Sequence, residues 1–192
     1  MDETKTSRPS WQDRVSQTLR QMRPADHPLR VAVVGIGHEL RGDDAAGLAV
    51  ACALQTMDNG RWTTNTGPTS GVHRLLVISA GPAPENYTGP LRRFQPDLVI
   101  LVDAADMGEA PGTVRCLACE ETTGLSASTH TPPPYVLAHY LTASLGCQVI
   151  LLGIQPADTS IGKPLSPAVR QAVVAVAQGL ADLLRPLCTP PA

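Results

Sequence analysis

The sequence predicts an α/β fold: a mostly parallel sheet with helices on both faces, in a single domain. Three observations carry this reading. At 192 residues, the chain is long enough to bury a sizeable core in one domain. Its near-continuous apolar runs, above all Leu98-Val99-Ile100-Leu101-Val102, suit strands buried on both faces. These runs alternate with stretches whose apolar residues recur at helical spacing, as in successive βαβ units. Only 3% of residues are aromatic, so the core rests on Leu, Val, Ile and Ala.

The elements follow in order. Trp11, Val15, Leu19 and Met22 repeat at helical spacing behind Ser10, a suitable N-cap. The prolines at 24 and 28 then break the chain. Residues 1–29 therefore read as an N-terminal extension, helical or partly disordered. The domain spans 30–186, and 187–192 form a proline-rich tail. Arg30 to Ile36 reads as a buried strand and Asp43 to Met57 as an alanine-rich helix. Residues 58–72, rich in Gly, Thr, Asn and Pro, read as a loop. Leu75 to Ile78 is the second strand, and Pro84-Glu85-Asn86 opens a short helix ending near Phe94. After Leu98–Val102, a short strand is expected over Gly112–Leu117, a helix over Pro132–Leu145 and a buried strand over Cys147–Ile154. Ser166-Pro167 has the form of an N-cap with proline at the first helical position. Behind it, Val169, Val173, Val176, Leu180 and Leu183 make an apolar stripe.

Composition excludes several classes of function. The formal net charge is −2 and no basic run is present, which argues against nucleic acid as partner. No apolar stretch is long enough to span a bilayer, and the first thirty residues lack the apolar core of a secretory signal. Five scattered cysteines, at 52, 116, 119, 147 and 188, fit a reducing compartment better than a disulfide framework. A cytoplasmic protein without membrane insertion is expected.

The chemistry concentrates at the carboxyl ends of the expected strands, where open α/β sheets bind ligands. The first turn, Gly35-Ile36-Gly37 through Asp43-Asp44, places two carboxylates at a helix mouth. They would repel a phosphate there and favour a cation. Asp103 follows the strongest strand and belongs to the same sheet edge. His130 stands just before another helix, whose N-terminal end disfavours the imidazolium and keeps the ring in its metal-binding form. Asp44, Asp103 and His130 thus make an oxygen and nitrogen set suited to zinc, nickel, manganese or iron, without selecting among them. Three ligands leave a position open for water or substrate. A third glycine of the dinucleotide fingerprint, a Walker loop, H-E-x-x-H and G-x-S-x-G are all absent. Cys116-Leu117-Ala118-Cys119 has no second pair and lies in an expected strand, so metal or redox work is not assigned to it. His27, His73 and His139 have no supporting context.

Four segments resemble the [NiFe]-hydrogenase maturation endopeptidases, most closely the branch that matures the large subunit of the formate hydrogenlyase hydrogenase. They are Gly35-Ile36-Gly37 through Asp43-Asp44, Ala83-Pro84-Glu85-Asn86, Leu101-Val102-Asp103-Ala104-Ala105-Asp106-Met107-Gly108, and Leu152-Gly153-Ile154-Gln155-Pro156. The similarity runs in order from about Arg30 to Leu184. It implies a mostly parallel sheet between helices, and it matches the family's metal-contacting positions to Asp44, Asp103 and His130. It implies an endopeptidase that removes a C-terminal extension from a large-subunit precursor already carrying nickel. The nickel then arrives with the substrate, and no tightly bound cofactor is expected. The chain departs from the family at His38, where asparagine is usual, and at Ser79-Ala80-Gly81, where an acidic residue and two glycines are common. A histidine that hydrogen-bonds the turn is the preferred reading of His38; an altered metal preference or an added ligand is the alternative. Two rival functions remain: a nickel-dependent checkpoint or chaperone that uses the same three ligands to hold the precursor without cutting it, and an unrelated small-molecule metallohydrolase.

Overall fold

The computed structural model describes residues 9–22, 24, 26–57, 74–117 and 134–188. The elements are α1 (Trp11–Gln21), β1 (Val31–Ile36), α2 (Ala46–Met57), β2 (Leu75–Gly81), α3 (Thr88–Phe94), β3 (Leu98–Ala104), β4 (Val114–Leu117), α4 (Pro134–Leu145), β5 (Gln148–Ile154) and α5 (Pro167–Leu184). Short 3₁₀ turns precede α2 at Gly42–Ala45 and α3 at Pro84–Tyr87. The expected loop at 58–72, Cys119 of the C-x-x-C pair and His130 lie outside the described residues.

The five strands form one sheet in the order β2-β1-β3-β5-β4. Every pairing is parallel except β4 with β5. This is the mostly parallel sheet the sequence predicts. Strands β1 and β3 are buried along their whole length, because helices cover both faces. Val31, Val33, Ile100 and Val102 face a core completed by α1, α2 and α5. Ala32, Val34, Val99 and Leu101 face a second core completed by α3 and α4. Period-two alternation in a strand apolar at every position thus feeds two cores at once.

One contact sets how closely α2 approaches the sheet. A Cβ on Gly35 would stand 2.2 Å from the Gly47 carbonyl oxygen, and one on Gly47 would stand 2.0 Å from that of Val102. Neither position admits a side chain, so the first turn of α2 lies against the ends of β1 and β3. The helix expected from Asp43 begins instead with a 3₁₀ turn, since Gly42 takes φ +52° and sits against the Asp158 carbonyl. At the N-terminus, Ser10 and Asp13 form the reciprocal capping box of α1. Ser166 makes no side-chain cap to α5; its backbone N–H is engaged elsewhere.

Candidate active site

Strands β1 and β3 are parallel neighbours with Gly35 opposite Val102. The residues that follow, Gly37 through Asp44 on one side and Asp103 on the other, therefore emerge together at one sheet edge. Gly37 has φ +138°, and a Cβ there would stand 1.9 Å from the Asp44 carbonyl oxygen. The chain can fold back on itself only with glycine at this position. The return brings the Asp44 carboxylate to the backbone of His38, whose N–H donates to Oδ2 at 3.1 Å.

Asp44 and Asp103 are both buried, at 4% and 8% exposure. Asp103 Oδ1 accepts the N–H of Ala104 at 2.8 Å. Burial, and then the neighbouring Asp44 charge, push the Asp103 carboxyl up to about 8. Burial also raises Asp44, against the opposing pull of Arg41 and of the His38 N–H. At neutral pH Asp103 thus keeps its proton beside an acidic partner, as paired carboxylates in a dry site do. A cation entering between them would relieve both the burial cost and the mutual repulsion.

Asp43, adjacent in sequence, has a different role. Its Oδ2 accepts the N–H groups of Ala157 at 2.8 Å and Asp158 at 3.1 Å, and its Oδ1 that of Ser166 at 2.6 Å. Burial alone would raise its pKa, but these donors outweigh that and hold it below the usual value. Asp43 fastens the β5–α5 loop to the Asp44 turn. Gln155 braces the other side. Its Oε1 accepts the N–H groups of Met107 and Glu109 at 2.6 and 3.2 Å, while its Nε2 donates to Asp106 Oδ1 at 3.1 Å. The loop after Asp103 is thereby fixed. Sequence reasoning assigned neither role. The available signal was a glutamine directly behind the apolar run of β5, at the edge where the site forms.

His38 Nδ1 accepts the Leu40 N–H at 3.2 Å, the turn-stabilising arrangement expected of it. His27 lies 3.5 Å from Asp97, ahead of β3 and so at the opposite edge, and His139 is exposed on α4. Among the described residues, no three His, Cys, Asp or Glu side chains converge as a metal site. Of the three expected ligands, the two carboxylates come together; His130 lies outside the described residues.

The family model for hydrogenase maturation proteases of the HycI type matches residues 67–182. The chain belongs to the hydrogenase maturation protease family. It is 32% identical over 146 residues to the hydrogenase 3 maturation protease of Escherichia coli K12, covering 76% of this chain and 85% of that protein. The crystal structure of the maturation protease HycI from Thermococcus kodakarensis superposes with a TM-score of 0.69 at 29% identity, covering 83% of this chain and 95% of the other. The solution structure of the endopeptidase HycI from Escherichia coli gives 0.64 at 28% identity, with 78% and 88% covered. This maturation protease is thus a hydrolase with the α/β fold of its relatives. Among the described residues, no helix is long and apolar enough to cross a membrane.

Proposed function

We propose that this maturation protease removes a C-terminal extension from a nickel-loaded [NiFe]-hydrogenase large-subunit precursor. Asp44, Asp103 and His130 recognise the nickel held by the precursor and form the catalytic group. The observation that carries this reading is the buried pair at one sheet edge, Asp103 near the end of β3 and Asp44 in the turn before α2. Two carboxylates sharing a dry edge, one of them still protonated near neutral pH, form a site that gains by taking in a cation. The ion is part of the substrate, so the enzyme needs no resident cofactor. Close to the ion, a carboxylate is suited to take a proton from the attacking water.

The test is cleavage of purified precursor, with and without nickel, by wild type and by Asp44→Asn, Asp103→Asn and His130→Gln. Cleavage is expected only with nickel and wild type. Each variant should lose at least about a hundredfold in rate while circular dichroism reports an intact fold. Equal cutting of nickel-free precursor, or normal cutting by a folded variant, would refute the reading.

A further inference from the structure

Beside the carboxylate pair, two loops form a braced rim with apolar tips. The Gly162 N–H donates to the Leu40 carbonyl at 2.7 Å, and the Asp43 N–H to that of Asp158 at 2.9 Å. The Asp43 carboxylate adds its three acceptor contacts, and the Leu40 N–H is held by His38. Little freedom is left to the backbone. Yet Leu40 is 60% exposed and Ile161, one residue before Gly162, is 78% exposed. Two large, mostly exposed aliphatic side chains are thus carried on hydrogen-bonded, neighbouring stretches of one rim. Isolated surface leucines are ordinary, but an adjacent pair on pre-ordered backbone, four residues from Asp44, has the form of a binding anchor. Its ordering entropy is already spent, so little is lost when a partner docks.

We infer that Leu40 and Ile161 form a docking ridge for the folded surface of the substrate protein around its metal, seated against an apolar patch on that surface. This rests on the proposed function: Leu40 belongs to the turn that leads into Asp44, so a precursor whose ion reaches Asp44 comes close to that turn. A second copy of this chain suits the ridge less well. Two aliphatic side chains fall far short of the ~800 Å² per partner that a stable dimer buries. They suit a substrate that is held at a second point by its metal.

Leu40→Ser, Ile161→Ser and the double variant test the ridge by steady-state cleavage of nickel-loaded precursor. Each single change should raise KM about tenfold, the double change more, with kcat within about twofold of wild type. Leu40→Met and Ile161→Leu, which keep the apolar bulk, should retain the wild-type KM. An unchanged KM in the double variant, with wild type cutting normally, would overturn the ridge and leave the proposed function standing. Failure of wild type to cut nickel-loaded precursor would bring down both. Sedimentation showing a wild-type dimer that the double change dissociates would reassign the ridge to self-association.

Discussion

Asp43 and Asp44 are neighbours in sequence with identical side chains, and their surroundings drive them apart. Three backbone donors hold Asp43 in its charged form, while burial lifts Asp44 and lifts Asp103 to about 8. The last shift links pH to stability. Below pH 3.8, the ordinary value, Asp103 is neutral in folded and unfolded chains alike. Between there and about 8 the unfolded chain releases this proton and the native chain keeps it, so the native state loses ground as pH rises. Asp103→Asn removes the titration. The variant should be more stable than wild type at pH 8 by on the order of a few kcal/mol, with the gap closing toward pH 4. Urea unfolding across this range measures it, and a gap independent of pH would contradict the burial argument.

At the level of elements, the strands and helices were readable because apolar periodicity and burial agree in a doubly covered parallel sheet. Leu98–Val102 is a continuous apolar run because β3 is the central strand of a five-stranded sheet. That Asp44 and Asp103 come to one sheet edge was readable because the turn after β1 and the end of β3 emerge at the same edge of the parallel sheet. The clamping role of Asp43 was not, because its partners lie more than a hundred residues away, and no local pattern encodes them. The 3₁₀ start of α2 was missed for the same reason: the Asp158 contact sets it. Close packing of α2 also yields a prediction. Gly47→Ala places a Cβ against two carbonyl oxygens, at 2.0 Å from Val102 and 2.5 Å from Ile36. The helix must lift from the sheet and carry Asp44 with it. A loss of about 3 kcal/mol or more is expected, with cleavage falling even where the fold survives. Gly108→Ala has open space around it and should cost only about 1–2 kcal/mol for its positive φ. Denaturant midpoints for the two variants make the comparison.

Across the whole molecule, the two cores are unequal. The α3–α4 side closes within the segment from Ala32 to Leu151. The other side also takes in α1, whose Trp11 and Val15 are buried with the strands. A Cβ on Gly179 of α5 would stand 2.6 Å from the Trp11 ring, so the absence of a side chain there makes the seat for the indole. Although the family-model match begins at residue 67, the first helix contributes to stability. Removing residues 1–22 strips one aromatic and one β-branched side chain from the core. It should cost about 3–5 kcal/mol, seen as a lower thermal midpoint, while leaving protease activity in place below that midpoint. A truncated protein that melts with wild type would show that α1 adds nothing.

The Asp43 clamp also makes the rim of the site observable by amide hydrogen exchange. Ala157 and Asp158 are open to water, and loop amides so exposed ordinarily exchange fast. Here both N–H groups, and that of Ser166, are bonded to one carboxylate. They should exchange slowly against a faster background of exposed loop amides that carry no such bond. The protection is local, so it reports opening of the rim alone and not unfolding of the sheet. In Asp43→Asn a single acceptor oxygen remains for three donors. At least one of the three amides should then exchange at the rate of its surroundings, while those of β1 and β3 stay protected.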